Sequence, residues 1–185
     1  MRALIGLLAA VLVAGPAFAA PVWTVDKAAS RVGFVSSMNG EAFEGAFGRY
    51  DAKINFDPKD LKSSKVVVAI DVTSAVTGDQ TRDESLPTKD WFWAEKFPRA
   101  TFVSTGFTDL GGGRYQAAGN LTLREVSKPI VLPFTLAISG DTAKMTSAIV
   151  VNRLVFGVGQ GQWKTEEAIP ARVTVRINLT AKKAR

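Results

Sequence analysis

The stretch "EAFEGAFGRYDAKI" (residues 41–54) changes phase in its middle. Phe43, Gly45 and Phe47 share one parity, whereas Tyr50, Ala52 and Ile54 share the other. Strand side chains alternate between two faces, so one core can claim both sets only if the chain slips by a residue between them. The slip falls near Gly48, and a β-bulge there would bend a long strand sharply. Bent long strands favour closure into a barrel over two stacked sheets.

Outward from that stretch, the chain is dominated by period-two patterns. "RYDAKINFD" (49–57) puts Tyr50, Ala52, Ile54 and Phe56 on one face and Arg49, Asp51, Lys53, Asn55 and Asp57 on the other. "RYQAAGNLTLR" (114–124) aligns Tyr115, Ala117, Gly119, Leu121 and Leu123, and "ARVTVRINLT" (171–180) aligns Val173, Val175, Ile177 and Leu179. Further strands are expected at 22–26, 31–37, 64–74, 100–109, 129–139 and 143–152. The expected fold is all-β: an elongated, strongly bent, eight-stranded antiparallel barrel. An outer-membrane barrel needs an apolar outside; here the face opposite the apolar one carries Arg49, Asp51, Lys53, Arg172 and Arg176. The apolar face therefore points inward.

One long segment breaks the rhythm: "TGDQTRDESLPTKDWFWAEKFP" (77–98). Thr81 or Asp83 can cap a short helix ending at Leu86, and Asp90 can cap a helical turn that carries Trp91, Phe92 and Trp93, with Phe97 beyond. This reads as a helical insert capping one end of the barrel, either as a permanent plug or as a lid over a ligand.

The N-terminus has a positive residue (Arg2), an apolar run from Ala3 to Val13, and the small residues Ala17 and Ala19. That is the pattern of a cleaved secretory signal peptide over residues 1–19. The apolar run falls short of the ~20 residues a membrane span needs, which disfavours an uncleaved anchor. Removing 19 of 185 residues leaves 166, a single domain over 20–185 able to bury a substantial core. Export without a single cysteine fits a bacterial periplasm and a fold held by its core alone. The net charge of +6 can draw a protein transiently to anionic membrane surfaces, or simply keep it soluble. Scattered Lys and Arg argue against nucleic acid as a partner.

With no His and no Cys, the chain lacks the commonest general base, the best nucleophile and most transition-metal ligands. Its acids (Asp83, Glu84, Asp90, Glu95; Glu166, Glu167) lie on polar segments, where caps and solvated charges are the rule. "GVGQGQW" (157–163) follows a strand as a mobile turn rather than opening a helix, so it is no nucleotide cradle. No catalytic residue or metal site is expected. Binding remains, because an eight-stranded barrel is either filled by its own side chains or holds one elongated ligand. Parity turns Val32, Phe34, Tyr50, Ile54, Phe56, Val68 and Ile70 inward from the first half of the chain. It does the same for Phe102, Leu121, Leu123, Phe134, Val175 and Ile177 in the second half. Small inward residues (Ala52, Ala117, Gly119) leave room, whereas the large ones can equally form a dry core.

Three ordered segments resemble a known family. "RDESLPTKDWFWAEKFPRATF" (82–102) is similar to the signature of YceI-like periplasmic proteins, an Arg-Asp pair leading to an aromatic step and a Lys-aromatic-Pro turn. "GNLTLREVSKPIVLPF" (119–134) resembles its second signature and "NRLVFGV" (152–158) its third. The resemblance implies a lipocalin-like barrel enclosing a polyisoprenoid chain, such as a quinone tail or lipid carrier, in periplasmic or secreted proteins of which some are dimers. No cofactor beyond that lipid ligand is implied. Ser30 and Ser85 stand where many relatives carry His, and Glu125 replaces a small turn residue. Under this reading Arg82 and Asp83 either fix the insert or meet a polar headgroup, and Arg153 beside Phe156 has the same two roles open to it. The function expected is periplasmic sequestration or carriage of an isoprenoid lipid. A filled barrel acting through its surface, or an enzyme acting on a lipid headgroup, are the alternatives.

Overall fold

The computed structural model describes residues 20–184; the expected signal peptide lies outside the described residues. Eleven antiparallel strands form one sheet: β1 (Val22–Val25), β2 (Arg31–Met38), β3 (Glu41–Phe47), β4 (Tyr50–Asn55), β5 (Lys65–Asp71), β6 (Ala75–Val76), β7 (Arg99–Gly111), β8 (Arg114–Leu123), β9 (Val126–Ser139), β10 (Thr142–Asn152) and β11 (Arg172–Lys183). The order β1-β4-β5-β7-β8-β9-β10-β11 returns to β1, because β11 pairs with β1 through residues 181–183. The result is a closed eight-stranded antiparallel barrel with little helix. β2, β3 and β6 continue the walls begun by β1, β4 and β5, with β2 joined to β11 and β3 to both β2 and β6.

The phase slip at Gly48 is therefore real, but it is not a one-residue bulge. The chain leaves the ladder at residues 48–49, and β3 and β4 pair with different partners on either side. Its neighbours break at the same level. The Gly48 N–H donates to the Ser74 carbonyl (3.1 Å) and the Arg49 N–H to Ser74 Oγ (3.0 Å), while Asp71 N–H donates to the Arg49 carbonyl (3.0 Å). Between β1 and β2, the Thr180 N–H donates to Ser30 Oγ (2.9 Å). These bonds give backbone groups released by the bend new partners, which helps make a sharp bend tolerable. Asp71 anchors this belt: the Thr73 hydroxyl (2.6 Å) and the Arg49 guanidinium (2.9 Å) hold its carboxyl below the usual carboxylate range, against the opposing effect of burial.

The crossing from β6 to β7 holds the only α-helix among the described residues, α1 (Gln80–Ser85). Its cap is Asp79, whose Oδ1 accepts from the Arg82 N–H (2.9 Å), rather than Thr81 or Asp83. Asp83 instead accepts from both the backbone N–H and the hydroxyl of Thr77 (2.7 Å each), tying the helix to the strand before it. The aromatic run after α1 makes turns, not a helix. Trp91 and Trp93 both donate backbone N–H groups to the Thr88 carbonyl (3.1 and 2.8 Å), and Trp93 has φ = 49°.

Candidate functional site

Inward alternation along all eight walls lines a continuous cavity of about 370 Å³. That lies within the range of small-molecule sites. Val32, Phe34, Tyr50, Ile54, Phe56, Val68 and Ile70 line it, as do Phe102, Leu121, Leu123, Phe134, Val175 and Ile177. The crossing and the loop after β10 add Arg82, Trp91, Phe92 and Arg153.

Asp83, Trp93, Phe97 and Phe156 do not line it. Asp83 is spent on Thr77. The left-handed backbone at Trp93 turns its ring away from its neighbours, to where Lys96 (4.8 Å), Lys89 (5.3 Å) and Arg124 (5.4 Å) surround it and Phe97 packs edge-on. Phe156 is buried in a cluster with Trp91, Val151, Val158 and Ile169.

Strand parity also placed residues that the sequence reading left out. The alternation that turns Phe134 inward does the same for Ile130, Leu132 and Leu136 on β9, and β10 contributes Met145 and Ile149. Trp23, Phe43 and Phe47 are likewise on the wall and legible from alternation, whereas Phe107 joins Phe102 on the inward face only through a register shift between Ser104 and Gly106 that simple alternation does not announce. Trp163 lines the cavity from the 3₁₀ turn Gly161–Lys164, where no strand alternation announces it.

The bore is shaped by two glycines on the inward face. The tip of the Phe34 ring lies over Gly45, its register partner; a Cβ on Gly45 would sit 2.2 Å from the Phe34 ring. Phe102 leans over Gly119 in the same way (2.6 Å). Without side chains at those points, two phenyl rings fold onto the wall instead of crossing the lumen.

One end is sealed by aromatic packing. Phe56 meets Phe107, Tyr115 and Phe134 at 5.2–6.0 Å, with Trp23, Ala143 and Ala181 in the same cluster. The Trp23 Nε1–H donates to the Phe56 carbonyl (2.9 Å). Burial, with the Asp109 charge second, raises the Tyr115 phenol above its usual value.

The other end is covered by the crossing and the loop after β10. Trp91 packs on Trp163 (5.5 Å), and the guanidinium of Arg153 lies 5.6 Å from the Trp91 ring. Arg153 is only 4% exposed and donates to five backbone carbonyls: Pro170, Val158, Trp163, Thr165 and Ile169 (2.8–3.2 Å). All of its N–H donors are used on loop backbone, so its role is to fix the loop rather than to meet a headgroup. Burial lowers its basicity, opposed by Glu166. "GVGQGQW" is accordingly a held turn and not a mobile one: Gly159 and Gln160 donate to the Asp90 carbonyl (2.8 and 2.7 Å), and a Cβ at Gly159 would strike Arg153. Arg124 bonds the carbonyls of Trp91 and Gly157, joining the two covering segments.

The polar lining residues are few, and most gather at α1: Thr77, Thr81, Arg82 and Ser85. Ser36 belongs to the same end, since its register partner Phe43 carries the Arg82 guanidinium at 4.7 Å. Arg82 spends Nε on the Thr77 hydroxyl (3.3 Å) and stands 3.7 Å from Asp79, leaving donors for a further acceptor. Two buried hydroxyls in the lining, Ser36 Oγ and Tyr50 Oη, have no hydrogen-bond partner. Among the described residues, no cluster of three acids is placed to hold a metal ion. The arrangement suits an apolar chain with a polar group near α1.

A model of the YceI-like domain matches residues 23–181. The chain belongs to the YceI-like domain family. Among solved structures, it is similar to BcnA of Burkholderia cenocepacia, with 34% identity and a TM-score of 0.82 over 85% of this chain and 99% of that one. A polyisoprenoid binding domain from Saccharophagus degradans shares the fold at 16% identity, with a TM-score of 0.69 over 89% of this chain and 99% of that one. A UPF0312 protein of Pseudomonas savastanoi pv. phaseolicola is 35% identical over 72% of this chain and 70% of its own. A UPF0312 protein of Vibrio cholerae is 32% identical over 72% of this chain; the match spans 61% of that relative's length, and 52% in a second one.

Proposed function

We propose that this YceI-like protein sequesters or carries an isoprenoid lipid, its chain in the barrel lumen and its polar end near Arg82. The observation that carries this reading is a closed barrel whose apolar cavity confines its polar side chains mainly to one end. The fold shared with a polyisoprenoid binding domain supports it. At ~0.8 kcal/mol per buried CH₂, a chain of about fifteen carbons gains roughly 10 kcal/mol gross. Ordering the chain and losing its translational freedom consume much of that, which leaves binding tight but reversible. The unpartnered Ser36 and Tyr50 hydroxyls give a ligand oxygen something to bond. The signal-peptide pattern of residues 1–19 supports a periplasmic site of action, where a water-soluble container could move a lipid between membranes.

Organic extraction of the protein purified from its native host, followed by mass spectrometry, tests this. One isoprenoid lipid per protein is expected. A protein that yields no stoichiometric lipid and takes up none when offered would instead be a filled scaffold acting through its surface.

A further inference from the structure

β9 and β10 are zipped together over only part of their length. Their pairing runs from Thr142↔Ser139 to Ser147↔Phe134 and stops there. Yet β9 begins at Val126 and β10 continues to Asn152, and each is paired along these lengths on its other side, with β8 and β11. The sequence supplies the reason. Ser147 Oγ donates to the Pro133 carbonyl (2.6 Å), so the backbone of residue 133 faces β10. Alternation then turns residues 131 and 129 the same way. Residues 133 and 129 are both proline, so two of the three donors that β9 would contribute to this seam do not exist.

The outcome is a window between Ile130–Pro133 and Ala148–Val151. At one end lies the Ser147–Pro133 bond; at the other, Val126 packs in the Phe156 cluster. Both sides of the window are apolar. Ile130, Leu132 and Ile149 line the cavity within. Val131 (51% exposed), Val150 (47%) and Val155 (48%) stand outside, and the 3₁₀ turn Leu154–Phe156 follows β10 directly.

We propose that this seam is a lateral portal through which the isoprenoid chain enters and leaves the lumen. The proposal rests on the carrier reading above. Opening the covered end would break the five Arg153 bonds and the two to the Asp90 carbonyl. Parting the seam breaks no ladder bond and asks only that apolar side chains move aside.

The absence of cysteine makes a clean test. Continuing the observed register sets Val131 opposite Val150, so Val131→Cys with Val150→Cys staples the seam by a disulfide, or by a short bismaleimide if the sulfurs do not reach. Ala137→Cys with Lys144→Cys, register partners in the zipped part, is the control. The probe is all-trans-retinol, an isoprenoid alcohol whose fluorescence rises in apolar surroundings, mixed by stopped flow. Closing the seam staple is expected to slow uptake about tenfold or more, as when entry must await a conformational change. Reducing the disulfide should restore the rate, and the control staple should leave it unchanged. Uptake at the same rate with the seam stapled overturns the portal while leaving the carrier intact. Retinol and longer prenols both failing to bind the parent protein would remove the carrier reading, and the portal with it.

Discussion

The two ends of the barrel are closed by different physics. At the Phe56 end, side chains from the walls meet in aromatic contacts, and the only side-chain bond among them is the one from Trp23. At the Trp91 end, two irregular segments lie across the opening, and an arginine bonded to five carbonyls holds one of them in place. The first closure is non-directional and spread over many atoms. The second is directional and depends on one side chain. An end filled by its own wall is a floor, whereas an end covered by loops pinned at one point is a cap whose fit can be altered locally.

Substitutions break this comparison in graded ways. Phe56→Ala removes a ring with three aromatic neighbours and is expected to cost about 4 kcal/mol in denaturant unfolding, because the floor cannot collapse. Its effect on bound lipid should be secondary to the lost stability. Arg153→Met keeps the apolar stem but orphans buried carbonyls, and a loss of about 3 kcal/mol is expected. Amide exchange should then rise across residues 157–170 while the Phe56 end stays protected. A smaller effect distinguishes neighbouring rings. Trp91→Ala opens the cap and should release lipid along with about 2 kcal/mol, less than a fully enclosed ring because one side faces the cavity. Trp93→Ala, outside the lumen among cations, should cost about 1 kcal/mol or less and keep the lipid. Equal lipid loss from both would contradict the placement of Trp93.

The smallest effect belongs to the bend between the ends. A carboxyl held below its ordinary value stabilises the fold above the unfolded-state value, and that contribution disappears as pH falls through the folded value. Asp71 is such a group, so wild type should lose stability below about pH 4 more steeply than Asp71→Asn, with the two curves parallel near neutrality. Being largely exposed, the pair with Arg49 adds little at high salt.

The walls were legible because alternation states both that a strand exists and which face is inside. This is how Ile54, Phe102 and Val175 were assigned, and how Leu132 and Ile149 can be assigned. The bend was visible at Gly48, although parity cannot distinguish one inserted residue from a break shared by three adjacent strands. The crossing was harder. "TGDQTRDES" offers several side chains able to cap, and only the backbone path selects Asp79. Trp93 points away because its φ is positive, a property that three consecutive aromatics do not announce. The cage around Arg153 is built from carbonyls, which every residue possesses, so no side-chain pattern marks it.

The central claim is that the lumen, rather than the outer surface, holds the isoprenoid. Titrating methyl-labelled protein with a nitroxide-tagged prenol measures this directly, since the spin label broadens nearby methyl resonances. The lumen residues Ile54, Val68 and Leu121 should fade together at one equivalent, while the outward Val22 and Val76 stay sharp. Broadening confined to outward methyls, with the lumen signals intact, would contradict the account.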